Sequence, residues 1–269
     1  MQGEVYYFSG RYYYQREGGF LENPYEKEIV KILIEKGNKK LNKNPEKVEY
    51  AENPKADALL NDIENYPHAI VLACLMSRRI KSEKSCLIPY EVSREINGFE
   101  FEKLEQLSLE QLKGIFNREK LHIYNDKMAE VFYEGIQKIK EVYNGNASNI
   151  WKDCPSSATI VRRFLEFKGV GIKIATMTAN ILVRDFKIPM KDHTFIDVSP
   201  DVHVKRVFKR LGLVSENAGR NEIIYRAREY YPKYSGIFNE KEAKLALSYA
   251  EHASLICSNV RGEVWKRAQ

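Results

Sequence analysis

The sequence predicts an all-α protein with a short N-terminal β-hairpin. Apolar residues recur at one-face helical spacing from Ile29 through Leu211. Helix-start signals such as Asn53-Pro54, Ser108-Leu-Glu-Gln111 and Ser199-Pro200 precede several of these segments. Strand-like composition is confined to a tyrosine-rich run within residues 1–20.

That run holds Tyr6, Tyr7, Tyr12, Tyr13 and Tyr14 and can turn back on itself near Ser9-Gly10. Its aromatics suit either base stacking or packing across the main body, packing being the commoner use. Asn23-Pro24 opens a helix burying Ile29, Val30, Leu33 and Ile34, with Gly37-Asn38 as its stop. The charged, aperiodic stretch from Lys39 to Pro54 reads as a loop, and a second helix starts at Asn53-Pro54. Tyr66-Pro67 opens an apolar helix, His68 to Met76, that is hydrophobic all round and therefore buried; it passes at once into Ser77-Arg78-Arg79. A short helix is expected from Pro89 to Ile96, another from the capping box at Ser108 to Phe116, and a long amphipathic one over Asn125–Tyr143. In the long helix Met128, Val131, Phe132, Ile136, Ile139 and Val142 form the inner side, and Asn144-Gly145 closes it.

Ser157 can cap a helix carrying Ile160, Val161, Phe164 and Leu165, after which Gly169 and Gly171 break the chain before a second apolar helix from Ile172. Lys173 falls in the first turn of that second helix. The positive helix end and partial desolvation both disfavour an ammonium, and so favour a nucleophilic amine. Ser199-Pro200 reads as cap and first position of a further helix, with Val204, Val207, Phe208 and Leu211 on one face and Gly212 ending it. Asp201 then lies at a helix N-terminus, where a carboxylate stays ionised. Helices near Asn221–Tyr230 and Glu240–Cys257 complete the chain.

A chain of 269 residues can bury a sizeable core in one or two domains. With 43 Lys and Arg against 37 Asp and Glu, the net charge of +6 permits nucleic-acid binding without demanding it. The clusters Arg78, Arg79, Lys81, Lys84 and Lys205, Arg206, Lys209, Arg210 are more telling than the sum. Cys74, Cys86, Cys154 and Cys257 have no metal-type pair spacing, Cys74 reads as a core thiol, and no metal or cofactor is expected. The N-terminus lacks a basic region followed by an apolar one, so a reduced, cytoplasmic protein is expected.

The segments Gly169-Val170-Gly171-Ile172-Lys173 and Asp201-Val202-His203, followed by Arg206-Val207, resemble the helix-hairpin-helix DNA glycosylases of the endonuclease III and 8-oxoguanine glycosylase superfamily. The resemblance runs from about Pro67 to Gly212, with Pro200 in place of the usual apolar residue before the acid. It implies a two-lobed helical fold with the active-site cleft between lobes: residues 66–186 carrying the hairpin, and 1–65 with 187–269 carrying the acid. It also implies a monomeric base excision repair enzyme acting on double-stranded DNA that contains a damaged base or an abasic site. Lys173 would attack C1′ and form a Schiff base, and Asp201 would stabilise the sugar cation. The amides of Gly169, Val170 and Gly171 would hold a phosphate, and His203 either contacts a phosphate or is a packed or capping histidine. The loop that would fill the gap left by the extruded nucleotide matches Met76-Ser77-Arg78, whose residue types leave the wedge unassigned, Met76 serving as wedge or as core; with Arg79 these residues would face the DNA. Met177, one turn beyond Lys173, either borders the base pocket or packs in the core. Many relatives end in four cysteines for an iron–sulfur cluster; here that region has only Cys257, so no cluster is expected. The stretch from Lys187 to Val198 is longer than is usual in the family and makes Asp197 a second candidate for the acid. Oxidised guanine and oxidised pyrimidine both stay open as the target.

Overall fold

The computed structural model describes residues 4–8, 11–15, 26–41, 47–192 and 196–234. Among these are eleven α-helices and one antiparallel hairpin, β1 (Glu4–Phe8) and β2 (Arg11–Gln15). The two strands pair in register Phe8 with Arg11; the turn predicted near Ser9-Gly10 lies outside the described residues. The helix predicted over Glu240–Cys257 lies outside the described residues.

The chain divides into two compact units, residues 1–44 with 194–269, and residues 45–193. In the first, α1 (Glu26–Leu41), α10 (Val202–Arg210) and α11 (Arg220–Tyr234) share a core of Val30, Leu33, Ile34, Val204, Val207, Phe208, Ile223 and Tyr230. Helix α1 continues through the expected stop at Gly37-Asn38; the intrinsic penalty of about 1 kcal/mol for a helical glycine is too small to end a helix by itself.

The second unit is built around α3 (Pro67–Leu75), every residue of which is buried. It packs against α2 (Pro54–Asn61), α4 (Ser82–Glu95), α7 (Asn125–Tyr143) and α9 (Ile172–Arg184). Between them lie α5 (Phe101–Leu104), α6 (Leu109–Arg118), a 3-10 turn at Ala147–Ile150 and α8 (Ser157–Leu165). Gly135 allows the approach of α7 to α3: a Cβ there would stand 2.7 Å from the Leu75 Cδ1.

The segment before α3 belongs to this unit, so the boundary expected at residues 65/66 moves to 44/45. The buried Asp57 carboxylate accepts the amides of Tyr50, Ala51 and Asn53 at 2.9, 2.7 and 3.2 Å. The Tyr50 hydroxyl in turn donates to Asp185 at 2.9 Å, and Asp185 is gripped by Arg184. Burial is the main influence that raises the Tyr50 pKa, with the Asp185 charge adding to it. Asp57→Ala should therefore cost about 2–3 kcal/mol, because three donors lose a buried charged acceptor. Denaturant midpoints of the variant and the parent protein measure this.

Local signals misplaced two helix starts and two inward-facing residues. Proline 89 sits inside α4, not at its start. A proline removes one helical hydrogen bond, but burial of Cys86, Ile88, Pro89 and Val92 on one face carries the helix through it. Ser156, not Ser157, caps α8, accepting the Thr159 amide at 3.2 Å. Ser157 is buried and donates its amide to Asp192 at 2.5 Å. Val142 and Leu165, expected on inner faces, are exposed.

His68 in α3 is buried against Phe99 and Phe101, and its Nε2 donates to the Phe99 carbonyl at 2.6 Å. Desolvation lowers its pKa below the ordinary histidine value. Below about pH 6.5 the unfolded chain takes up a proton that the folded site resists, so stability falls as the pH drops from that point. His68→Gln should flatten the change in unfolding free energy between pH 7 and 5, by at most about 1.4 kcal/mol per unit. Urea titrations at several pH values test the slope.

Candidate active site

The hairpin between α8 and α9 is built by two glycines with different tasks. Gly169 has φ +78°, a left-handed conformation, and a Cβ there would meet Val131 Cγ2 at 3.3 Å. The Val170 amide closes the turn on the Phe167 carbonyl at 3.1 Å. Gly171 is the N-cap of α9 with extended backbone, φ −111° and ψ 177°, and open space where a Cβ would be. Its carbonyl accepts the amides of Ile174 and Ala175, both at 3.0 Å. The first amides of α9 thus point out of an exposed turn.

Lys173, the second residue of α9, is half-buried. Its Nζ lies 3.3 Å from the Ser77 hydroxyl and 3.5 Å from the Met177 sulfur. Ser77 stands just past the tip of α3, its amide on the Cys74 carbonyl at 3.1 Å. Cys74 is buried beneath, its thiol pushed up to about 11 by desolvation while the Thr178 hydroxyl and the Lys173 charge pull the other way. The core-thiol reading of Cys74 holds. The residues that the sequence singles out at 77, 173 and 177 therefore meet around one nitrogen.

Met76 does not join them. It is the C-cap of α3 and is 0% exposed, with its amide on Leu72 and Ala73 carbonyls, so of the two readings core packing is the one observed. Arg78 and Arg79 are exposed. Arg79 has φ +57° and donates to the Tyr124 hydroxyl at 3.1 Å. Tyr124 and its neighbour Ile123 are 41% and 63% exposed. Sequence reasoning missed this pair. The available signal was an apolar Leu121-His-Ile-Tyr124 stretch lying between two helices. His122 anchors it: the ring is buried, Nδ1 accepts the Tyr124 amide at 3.0 Å, and Nε2 is buried with no hydrogen-bond partner among the described residues. Desolvation lowers the His122 pKa.

In the other unit, Asp201 is itself the N-cap of α10, accepting the His203 and Val204 amides at 2.8 Å each. The helix accordingly begins at Val202, two residues later than Ser199-Pro200 suggests, because the carboxylate is the stronger acceptor for the end amides. His203, Arg206 and Arg210 are exposed on α10, while Val204, Val207 and Phe208 are buried. Asp197 is committed elsewhere: Arg228 holds both its oxygens, at 2.7 and 2.6 Å.

The backbone is similar to that of a trapped endonuclease III–DNA covalent intermediate, an estranged-adenine complex, with a TM-score of 0.52 over 83% of this chain and 85% of that one. The chain has the fold of the helix-hairpin-helix DNA glycosylases. Sequence identity to that structure is 15%. An 8-oxoguanine glycosylase/lyase of Clostridium acetobutylicum, in complex with double-stranded DNA containing cytosine opposite 8-oxoguanine, is 16% identical with a TM-score of 0.49, covering 94% of this chain and 86% of that one. No protein-family model matches the sequence, and no curated protein matches it. No helix among the described residues is long and apolar enough to cross a membrane.

Proposed function

We propose that this protein is a base excision repair DNA glycosylase with AP lyase activity, belonging to the endonuclease III and 8-oxoguanine glycosylase superfamily. The observation that carries the reading is the Lys173 amine: it follows a Gly-Val-Gly turn in a glycosylase fold and is held by Ser77 and Met177. The endonuclease III structure of like fold is a trapped covalent DNA intermediate, the chemistry that a lysine in this position serves.

In this reading the damaged nucleotide leaves the duplex, since its glycosidic bond is out of reach within the stack. The neutral Lys173 amine attacks C1′, the glycosidic bond breaks, and its electron pair leaves with the base. Opening of the sugar ring gives a Schiff base, which acidifies C2′ and permits elimination of the 3′ phosphate. Asp201 stabilises the positive charge that develops on the sugar. The hairpin amides of Gly169, Val170 and Gly171 take a backbone phosphate, and His203 and Arg78 take others. Arg79 and Ile123, exposed on neighbouring loops that the Arg79–Tyr124 hydrogen bond joins, fill the space of the extruded base; an inserted side chain needs only to replace lost stacking. Met177, at 3.5 Å from the reacting nitrogen, borders the base. The substrate is an oxidised base, either 8-oxoguanine or an oxidised pyrimidine.

Borohydride trapping on duplexes carrying 8-oxoguanine, thymine glycol, uracil or a plain abasic site tests this. A covalent adduct that disappears in Lys173→Gln is expected, and the duplex with the most adduct names the base. Salt-dependent binding without an adduct on any duplex would leave a monofunctional glycosylase or a binding protein.

A further inference from the structure

We propose that Ser77 is a positioning residue for Lys173: its hydroxyl accepts a hydrogen bond from Nζ and holds the amine in one rotamer ahead of attack. The inference rests on Lys173 being the nucleophile, and it adds to the hairpin residues around that amine a side chain from the turn that follows α3.

Both backbones that bring the two side chains together are fixed. Helix α3 is buried along its whole length, and its end is wound tight, the Ser77 amide on Cys74 at 3.1 Å and the Arg78 amide on Met76 at 2.7 Å. The start of α9 is fixed by the Gly171 carbonyl and by Thr176, whose hydroxyl donates to the Ile172 carbonyl at 2.8 Å. Between these fixed backbones stands the four-carbon lysine stem, whose rotamer entropy amounts to about 2 kcal/mol. An acceptor at the far end of that stem is therefore the effective place to order it. Of the two neutral acceptors that the described residues place beside Nζ, the Met177 sulfur at 3.5 Å is weak and the Ser77 oxygen at 3.3 Å is the better one.

The chemistry of the acceptor also suits the task. A hydroxyl takes a hydrogen bond from an amine or an ammonium and stays neutral, so it orients the nitrogen without favouring the protonated form as a carboxylate would. The bond is half-exposed and contributes little to the fold, so the effect of removing it falls on the amine.

The test is single-turnover borohydride trapping on an abasic duplex, at pH values from about 5.5 to 9, with the parent protein, Ser77→Ala, Ser77→Thr and Lys173→Gln. Affinity for a duplex with a tetrahydrofuran abasic analogue and thermal unfolding are measured beside it. Ser77→Ala should trap about tenfold more slowly at every pH, with affinity and melting temperature unchanged, and Ser77→Thr should restore most of the rate. Trapping by Ser77→Ala at the parental rate overturns the proposal, as does a loss matched in affinity or a threonine variant no faster than alanine. An adduct that survives in Lys173→Gln, or none with the parent protein, instead defeats the nucleophile assignment on which the proposal stands.

Discussion

Asp201→Asn should lower the single-turnover rate of Schiff-base formation by about 10²- to 10⁴-fold, while Asp197→Asn should leave it within a few fold. Asparagine caps a helix as well as aspartate does, so the bonds from the His203 and Val204 amides, at 2.8 Å each, can persist in the variant. The substitution then removes the charge and little else. Asp197 offers the opposite case. Its two oxygens are engaged by Arg228, itself stacked 5.1 Å from the Tyr225 ring, and this ion pair ties the segment before α10 to α11. Asp197→Asn weakens that tie by an amount on the order of 1 kcal/mol, which thermal unfolding reads as a small shift. Trapping kinetics and melting curves on the two variants separate a charge used in chemistry from a charge used in packing. The assignment of Asp201 fails if Asp197→Asn abolishes trapping and Asp201→Asn keeps it.

The helices were legible wherever apolar spacing and caps agreed. The Asn53-Pro54 start, the Ser108 capping box, the wholly buried α3 and the inner face of α10 are all as read. Local rules failed at Pro89 inside α4, where burial of one face overrode the proline, and at Gly37 inside α1, where the penalty for a helical glycine is too small to end a helix. Lys173 and its hairpin were legible because a glycine pair at a helix start is a local signature. The Ser77–Lys173 contact spans 96 positions in sequence, and no period or motif reports a contact of that range. The Ile123-Tyr124 pair was hidden for a different reason: an apolar residue in a short loop reads as core unless its exposure is known. From sequence Met76 reads as wedge or core, with core at least as common a use, and only burial distinguishes them.

Gly171→Asn should weaken duplex binding by roughly 10- to 100-fold, the worth of one charge-assisted phosphate contact of about 1.5–3 kcal/mol, while leaving the protein as stable as its parent or slightly more so. The fold does not need glycine here. The backbone of Gly171 is extended, and nothing stands within 4 Å of the position a Cβ would take. Asparagine is among the best N-cap residues, and its side-chain oxygen would accept the amides of the first turn of α9. Those are the donors that the proposed phosphate requires, so the variant's own cap competes with DNA for them. Gly169 behaves differently. With φ +78° and Val131 at 3.3 Å, Gly169→Ala should cost about 1 kcal/mol or more through strain in the left-handed region, and any loss of binding would track the loss of fold. Titrating both variants with duplex over a range of salt, beside their melting curves, gives the decision. If Gly171→Asn bound with parental affinity and an unchanged salt slope, the first turn of α9 would not hold a phosphate, and the hairpin would be a turn that merely delivers Lys173.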